Sequence, residues 1–198
     1  SIPWAGVYPI VTASQVVLGL QTIVSRQLDA TLTPSIVTVG RIEGGVRNNI
    51  IPEVAKLSGT IRTFDNDVKT QIHAKIRRIA EGVADSQGAK VTVTIDPGVP
   101  VTFNNVGLTE QLAPTLKAVY GEKNARIAPR TTGAEDFSFF QREVPGFFFF
   151  IGGRPLDVPL QDAIPNHSPY FYVDEGALQP AVHAMSRLAV DYLRDEVL

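Results

Sequence analysis

The sequence predicts an α/β chain in two parts. Residues 1–98 read as a ferredoxin-like α+β sandwich without its first strand, and residues 99–198 as the closing segment of an α/β domain. Three observations carry this reading. The first part runs helix, strand, strand, helix, strand, which is the ferredoxin-like order minus its opening strand. Asp96-Pro97-Gly98-Val99-Pro100 then breaks the chain with two prolines and a glycine. Beyond it, Phe147-Phe148-Phe149-Phe150-Ile151 is a continuous apolar run, as in a strand covered on both faces.

Each element has its own warrant. Pro9 suits a first helical turn, and Ile10, Ala13, Val17, Leu20 and Val24 recur at three- and four-residue steps, so a helix is expected from Pro9 to Leu28. Ser35 to Gly40 alternates and is β-branched, a strand, and Glu43-Gly44-Gly45 breaks it. Ala55 to Phe64 is a second strand, with Ala55, Leu57, Gly59 and Ile61 on one face and Lys56, Ser58, Thr60 and Arg62 on the other. Asn66 or Asp67 can cap a helix whose stripe is Val68, Ile72, Ile76, Ile79 and Val83. Lys90 to Ile95 alternates as a third strand. The half-polar strands suit an antiparallel sheet with helices on one face. In the second part a helix is expected near Leu108–Tyr120, a short one from Glu135, an apolar strand at Gly146–Ile151, and a closing helix from about Asp174. Its buried side would be Leu178, Val182, Met185, Leu188, Ala189 and Tyr192.

Composition narrows the function classes. The chain is 44% hydrophobic and 19% charged, ordinary for a globular protein. A net charge of -2 offers no basic field for nucleic acid. No segment approaches the roughly 20 apolar residues of a membrane-spanning helix. With no cysteine, a metal would have to be held by His, Asp or Glu, and there are three histidines. Compartment stays open between cytoplasm and periplasm. The start at Ser1-Ile2-Pro3-Trp4 carries neither an initiator Met nor a signal peptide, so the chain is expected to begin inside a longer protein.

Four positions stand out chemically, each with an alternative. His167, in Asn166-His167-Ser168-Pro169, is a metal ligand, a base, or a loop histidine bonded to its backbone. Gly133-Ala134-Glu135-Asp136-Phe137 is an oxyanion-binding helix start or a capped helix with acids complementing its dipole. Arg62 is a bidentate carboxylate clamp or one charge on a solvated sheet face. Asn49 offers amide donors or turn chemistry. His73 and His183 read as structural or surface residues. No phosphate loop, GxSxG elbow or HExxH motif is present.

Six motifs in order carry a resemblance: Pro3-Trp4-Ala5-Gly6-Val7-Tyr8-Pro9-Ile10, Gly44-Gly45 to Asn49-Ile50-Ile51-Pro52, Gly59 to Asp65, Gly133 to Phe137, Phe149 to Gly152, and Asn166 to Pro169. Together they resemble the aminoacylase, hippurate-hydrolase and carboxypeptidase G-like zinc metallohydrolases. The resemblance implies that residues 1–98 are a lid and dimerisation domain, and residues 99–198 the end of a zinc-peptidase-like catalytic domain. It implies hydrolysis of N-acyl amino acids or related peptides with one or two Zn²⁺, and a homodimer formed through the lid. It makes His167 a metal ligand, Gly133 a catalytic position near the scissile carbonyl, and Arg62 and Asn49 grips on the substrate carboxylate. The remaining metal ligands and the catalytic Glu would lie upstream, so the chain alone is expected to be inactive. The competing expectation is a non-catalytic ferredoxin-like module that dimerises or binds a small amino-acid-like ligand.

Overall fold

The structure is a computed structural model and describes residues 2–195. It forms two compact units. The first runs to Val101 and also takes in Thr132–Glu135; the second comprises Thr102–Thr131 and the chain from Asp136 onward.

In the first unit, helix α1 (Pro9–Arg26) and helix α2 (Asn66–Ser86) pack on a hairpin of β1 (Ser35–Gly44) and β2 (Ala55–Thr63). Val16, Leu20 and Ile23 from α1, Val37 from β1, and Ile72 and Ala80 from α2 form the core. Leu57 and Ile61 pack against it, as the alternation of β2 requires. The buried stripe of α1 is Thr12, Ala13, Val16, Leu20 and Ile23, turned by about one residue from the expected one. The doublets Val16-Val17 and Ile23-Val24 make either stripe helical, and packing decides between them. The cap of α2 also moves: Asp65, in extended backbone, accepts from the Asp67 and Val68 amides at 2.8 Å. A cap must have non-helical dihedrals while its side chain reaches back to the first turn, and Asp65 meets both conditions.

The hairpin is antiparallel, pairing Val37 with Ile61 and Ile36 with Arg62. Its register shifts between Val39 and Arg41, leaving Gly40 as an extra residue. Opposite the bulge the strands close up, so that a Cβ on Gly59 would lie 2.0 Å from the Thr38 carbonyl oxygen. Only glycine fits there.

The third strand does not form among the described residues; the sheet has two strands. Residues 90–95 make no ladder, although Val93 packs against the core. Side chains of α2 take carbonyls along this segment and its continuation: Arg77 Nη1 donates to Val93 O at 2.6 Å, and Lys69 Nζ to Val99 O at 3.2 Å.

In the second unit, helix α3 (Val106–Tyr120) packs against helix α5 (Leu178–Asp195), burying Leu112, Ala184 and Leu188. Across this pair Thr115 Oγ1 donates to Asp191 Oδ2 at 2.7 Å, and Arg187 Nε donates to both Asp191 oxygens. The expected buried side of α5 is mostly wrong: Leu178, Val182 and Met185 are 56%, 67% and 57% exposed. The helix starts at Leu178, after a single 3₁₀ turn (Glu175–Ala177) capped by Asp174, whose carboxylate accepts from Gly176 N. The short helix α4 (Phe137–Glu143) starts after Asp136, two residues later than expected.

The apolar strand at 146–151 also makes no ladder among the described residues, and Phe150 is 63% exposed. The run is extended all the same. Phe147 meets Phe149, and Phe148 meets Phe150 edge-on, so alternate rings share a face. What replaces the neighbouring strand is the Asn104 side chain, which donates to Phe148 O and accepts from Phe148 N, both at 2.7 Å. No helix among the described residues is long and apolar enough to cross a membrane.

Candidate functional site

His167 lies exposed in a turn of the second unit. Its φ is 70°, and no other non-glycine residue described has a positive φ. For a residue with a Cβ this left-handed backbone is strained, and such strain persists only where the surroundings enforce it. The surroundings are visible. Tyr170 N donates to Ser168 Oγ and Phe171 N to Ser168 O, closing the turn, while Asp174 N donates to Gly153 O at 2.8 Å and ties the loop back. The sequence offered no signal for this backbone state. A cavity of about 420 Å³ borders Asn166, with Ile151, Val158, Phe171 and Val173 in its wall and Arg154 and Asp162 as charged members.

A catalytic metal needs about three protein ligands. Among the described residues no group of three or more His, Cys, Asp or Glu side chains comes together. The described residues therefore bring no further ligands of these types together with His167.

The other candidates lie in the first unit. Arg62 projects from the face of β2 opposite the core, yet it is half-buried where Ser58 and Thr60 on that face are exposed. Arg62 Nη1 donates to the Thr132 carbonyl at 3.0 Å, so the segment bearing Gly133 lies against it. Sequence reasoning singled out Gly133 and Arg62 but missed Thr132, which joins them. A Cβ on Gly133 would meet nothing within 4 Å, so packing does not demand glycine there. Asn49 is exposed, in the turn between β1 and β2, where Ile50 N donates to Arg47 O at 3.3 Å. From Ala55 to Arg62 the strand extends about 23 Å, at about 3.3 Å per residue. Asn49 and Arg62 thus sit at opposite ends of one hairpin.

His73 is half-buried on α2, and its imidazole is held below its ordinary pKa by desolvation first and then by Lys69 and Arg77. His183 is exposed on α5.

These units match a mixed α/β metallopeptidase domain. The solved structure of the YXEP protein of Bacillus subtilis, described as a dinuclear metal binding peptidase from the M20 family, superposes with a TM-score of 0.72 and 27% identity, covering 95% of this chain and 46% of that one. A structure from methicillin resistant Staphylococcus aureus gives 0.83 at 29% identity, covering 98% of this chain and 49% of that one. The model of Peptidase family M20/M25/M40 matches residues 8–191, and the chain belongs to that family. Among curated relatives, N-acetylcysteine deacetylase of Bacillus subtilis (strain 168) is 33% identical over 189 residues, which are 96% of this chain and 47% of that protein. IAA-amino acid hydrolase ILR1-like 2 of Arabidopsis thaliana is 30% identical over 200 residues, covering 99% of this chain and 44% of its own length. The chain spans about half the length of the curated relatives it matches.

Proposed function

We propose that this chain is part of a metal-dependent amidohydrolase acting on N-acyl amino acids or related peptides. Residues 1–98 serve as its ferredoxin-like lid and dimerisation domain, and residues 99–198 as the closing segment of its catalytic domain. The observation that carries the reading is His167, in the Asn166-His167-Ser168-Pro169 motif that resembles the family's last metal-ligand histidine, held at a φ of 70°. Backbone strain at this position is intelligible if the imidazole must meet a metal ion, zinc in our reading, whose other ligands come from outside this chain. The names of the relatives, a deacetylase and an amino acid hydrolase, support amide cleavage next to an amino acid.

The lid reading draws support from the unladdered segment at 90–95. In a ferredoxin-like sandwich the last strand lies beside the first, and the first is the strand for which this sequence has no counterpart. Arg62 would hold the substrate carboxylate by two parallel hydrogen bonds, with Gly133 at the reacting carbonyl. Asn49, at the far end of the hairpin from Arg62, would reach the carboxylate of a partner subunit's site. The apolar cavity beside Asn166 would take the acyl group.

The test compares two proteins. The intact enzyme should release amino acid from N-acetyl and N-benzoyl amino acids and stop when a chelator removes its metal. The purified 198-residue chain should release none, because its described residues bring no complete ligand set together. Zinc-dependent hydrolysis by the 198-residue chain alone would overturn the proposed division of the active site.

A further inference from the structure

We propose that Arg62 is a positioning residue for the Gly133 segment as well as a clamp for substrate. Three observations converge. The guanidinium donates through Nη1 to the Thr132 carbonyl at 3.0 Å. Arg62 is half-buried while its same-face neighbours Ser58 and Thr60 are exposed, so this end of the strand is the covered end. Thr132–Glu135 belongs to the compact unit of the hairpin, apart from the residues on either side of it in sequence.

The chemistry of the guanidinium lets both roles coexist. It carries five N–H donors in a planar fork. Donation from Nη1 to Thr132 leaves the Nε–Nη2 edge, whose two parallel N–H bonds match a carboxylate. Arg62 can therefore bind an anion on one edge while it holds the Thr132–Gly133 peptide with the other. A lysine ammonium has no such pair of edges. Bound carboxylate would fix the guanidinium, and the guanidinium would in turn fix the peptide next to Gly133. Substrate recognition and placement of that peptide are then one event, located at one side chain. The catalytic consequence rests on the function proposed above; the positioning itself does not.

The experiment has two arms. In the 198-residue chain, backbone order parameters of Thr132–Glu135 should be near the rigid value of about 0.85 and fall below about 0.6 in Arg62→Ala, with Arg62→Lys between them. Those of Val37 and Ile61 in the ladder should not change. In the intact enzyme, Arg62→Ala should lower kcat about ten-fold on a substrate whose carboxylate is amidated, besides raising KM for the free acid. Unchanged order at Thr132–Glu135, a loss of order shared by the ladder, or an unaffected kcat on the amidated substrate would each overturn the positioning role. An unchanged KM for the free acid would instead remove the clamp and leave the positioning role standing, so the two readings fail separately.

Discussion

The two units bury their apolar residues differently. In the first, both helices and the hairpin contribute to one core, and Ile23 and Ile72 are wholly buried. In the second, α3 and α5 bury little beyond Leu112, Ala184 and Leu188, and they are joined by the polar Thr115–Asp191–Arg187 cluster. Phe150, Leu178, Val182 and Met185 stay largely exposed. An apolar residue is therefore informative about position only where its own chain supplies the surface that covers it.

The comparison can be broken at several points. The largest effect is expected at Ile72. Ile72→Ala removes a wholly buried side chain and should destabilise the first unit by about 2–5 kcal/mol, read as a shift in its chemical denaturation midpoint. A loss below about 1 kcal/mol would mean that this core is looser than the packing shows.

The second unit should answer to pH. The Asp191 carboxyl is held below its ordinary pKa, chiefly by the Thr115 hydroxyl and then by Arg187 and Arg194. A carboxylate with a depressed folded-state pKa stabilises the fold above its unfolded pKa, and that contribution is lost as pH falls through the folded value. The second unit should thus weaken below about pH 4, the ordinary Asp range. Asp191→Asn should flatten that part of the melting-temperature profile. A profile identical to that of the parent would remove Asp191 from the account.

The smallest effect is expected at Val182. Because it is 67% exposed, Val182→Ser should change the stability of the chain by no more than about 0.5 kcal/mol. A change of several kcal/mol would restore the buried stripe read from the sequence.

The same contrast explains what was legible in advance. On α2 the periodic stripe was right, because Ile72 and its partly buried neighbours Val68, Ile76, Ile79 and Val83 have the hairpin and α1 to pack on. On α5 an equally good period misled, because period fixes a face without fixing what lies against it. The strands at 90–95 and 146–151 were read from alternation and apolarity, which describe an extended chain but not its hydrogen-bond partner. Of the candidate site, His167, Arg62, Gly133 and Asn49 were visible as residue types in motifs. The φ of His167 and the bond from Arg62 to Thr132 were not, since neither a turn's handedness nor a contact between residues 70 apart is written in local pattern.

The proposed role of His167 has a direct test in its own backbone. His167→Gly removes the imidazole and at the same time relieves the left-handed strain, because glycine adopts positive φ without penalty. In the intact enzyme this variant should be at least as stable as the parent, yet lose bound metal and hydrolysis of N-acyl amino acids together. Metal content and turnover equal to those of the parent would contradict the account, and would make His167 a residue of the turn alone.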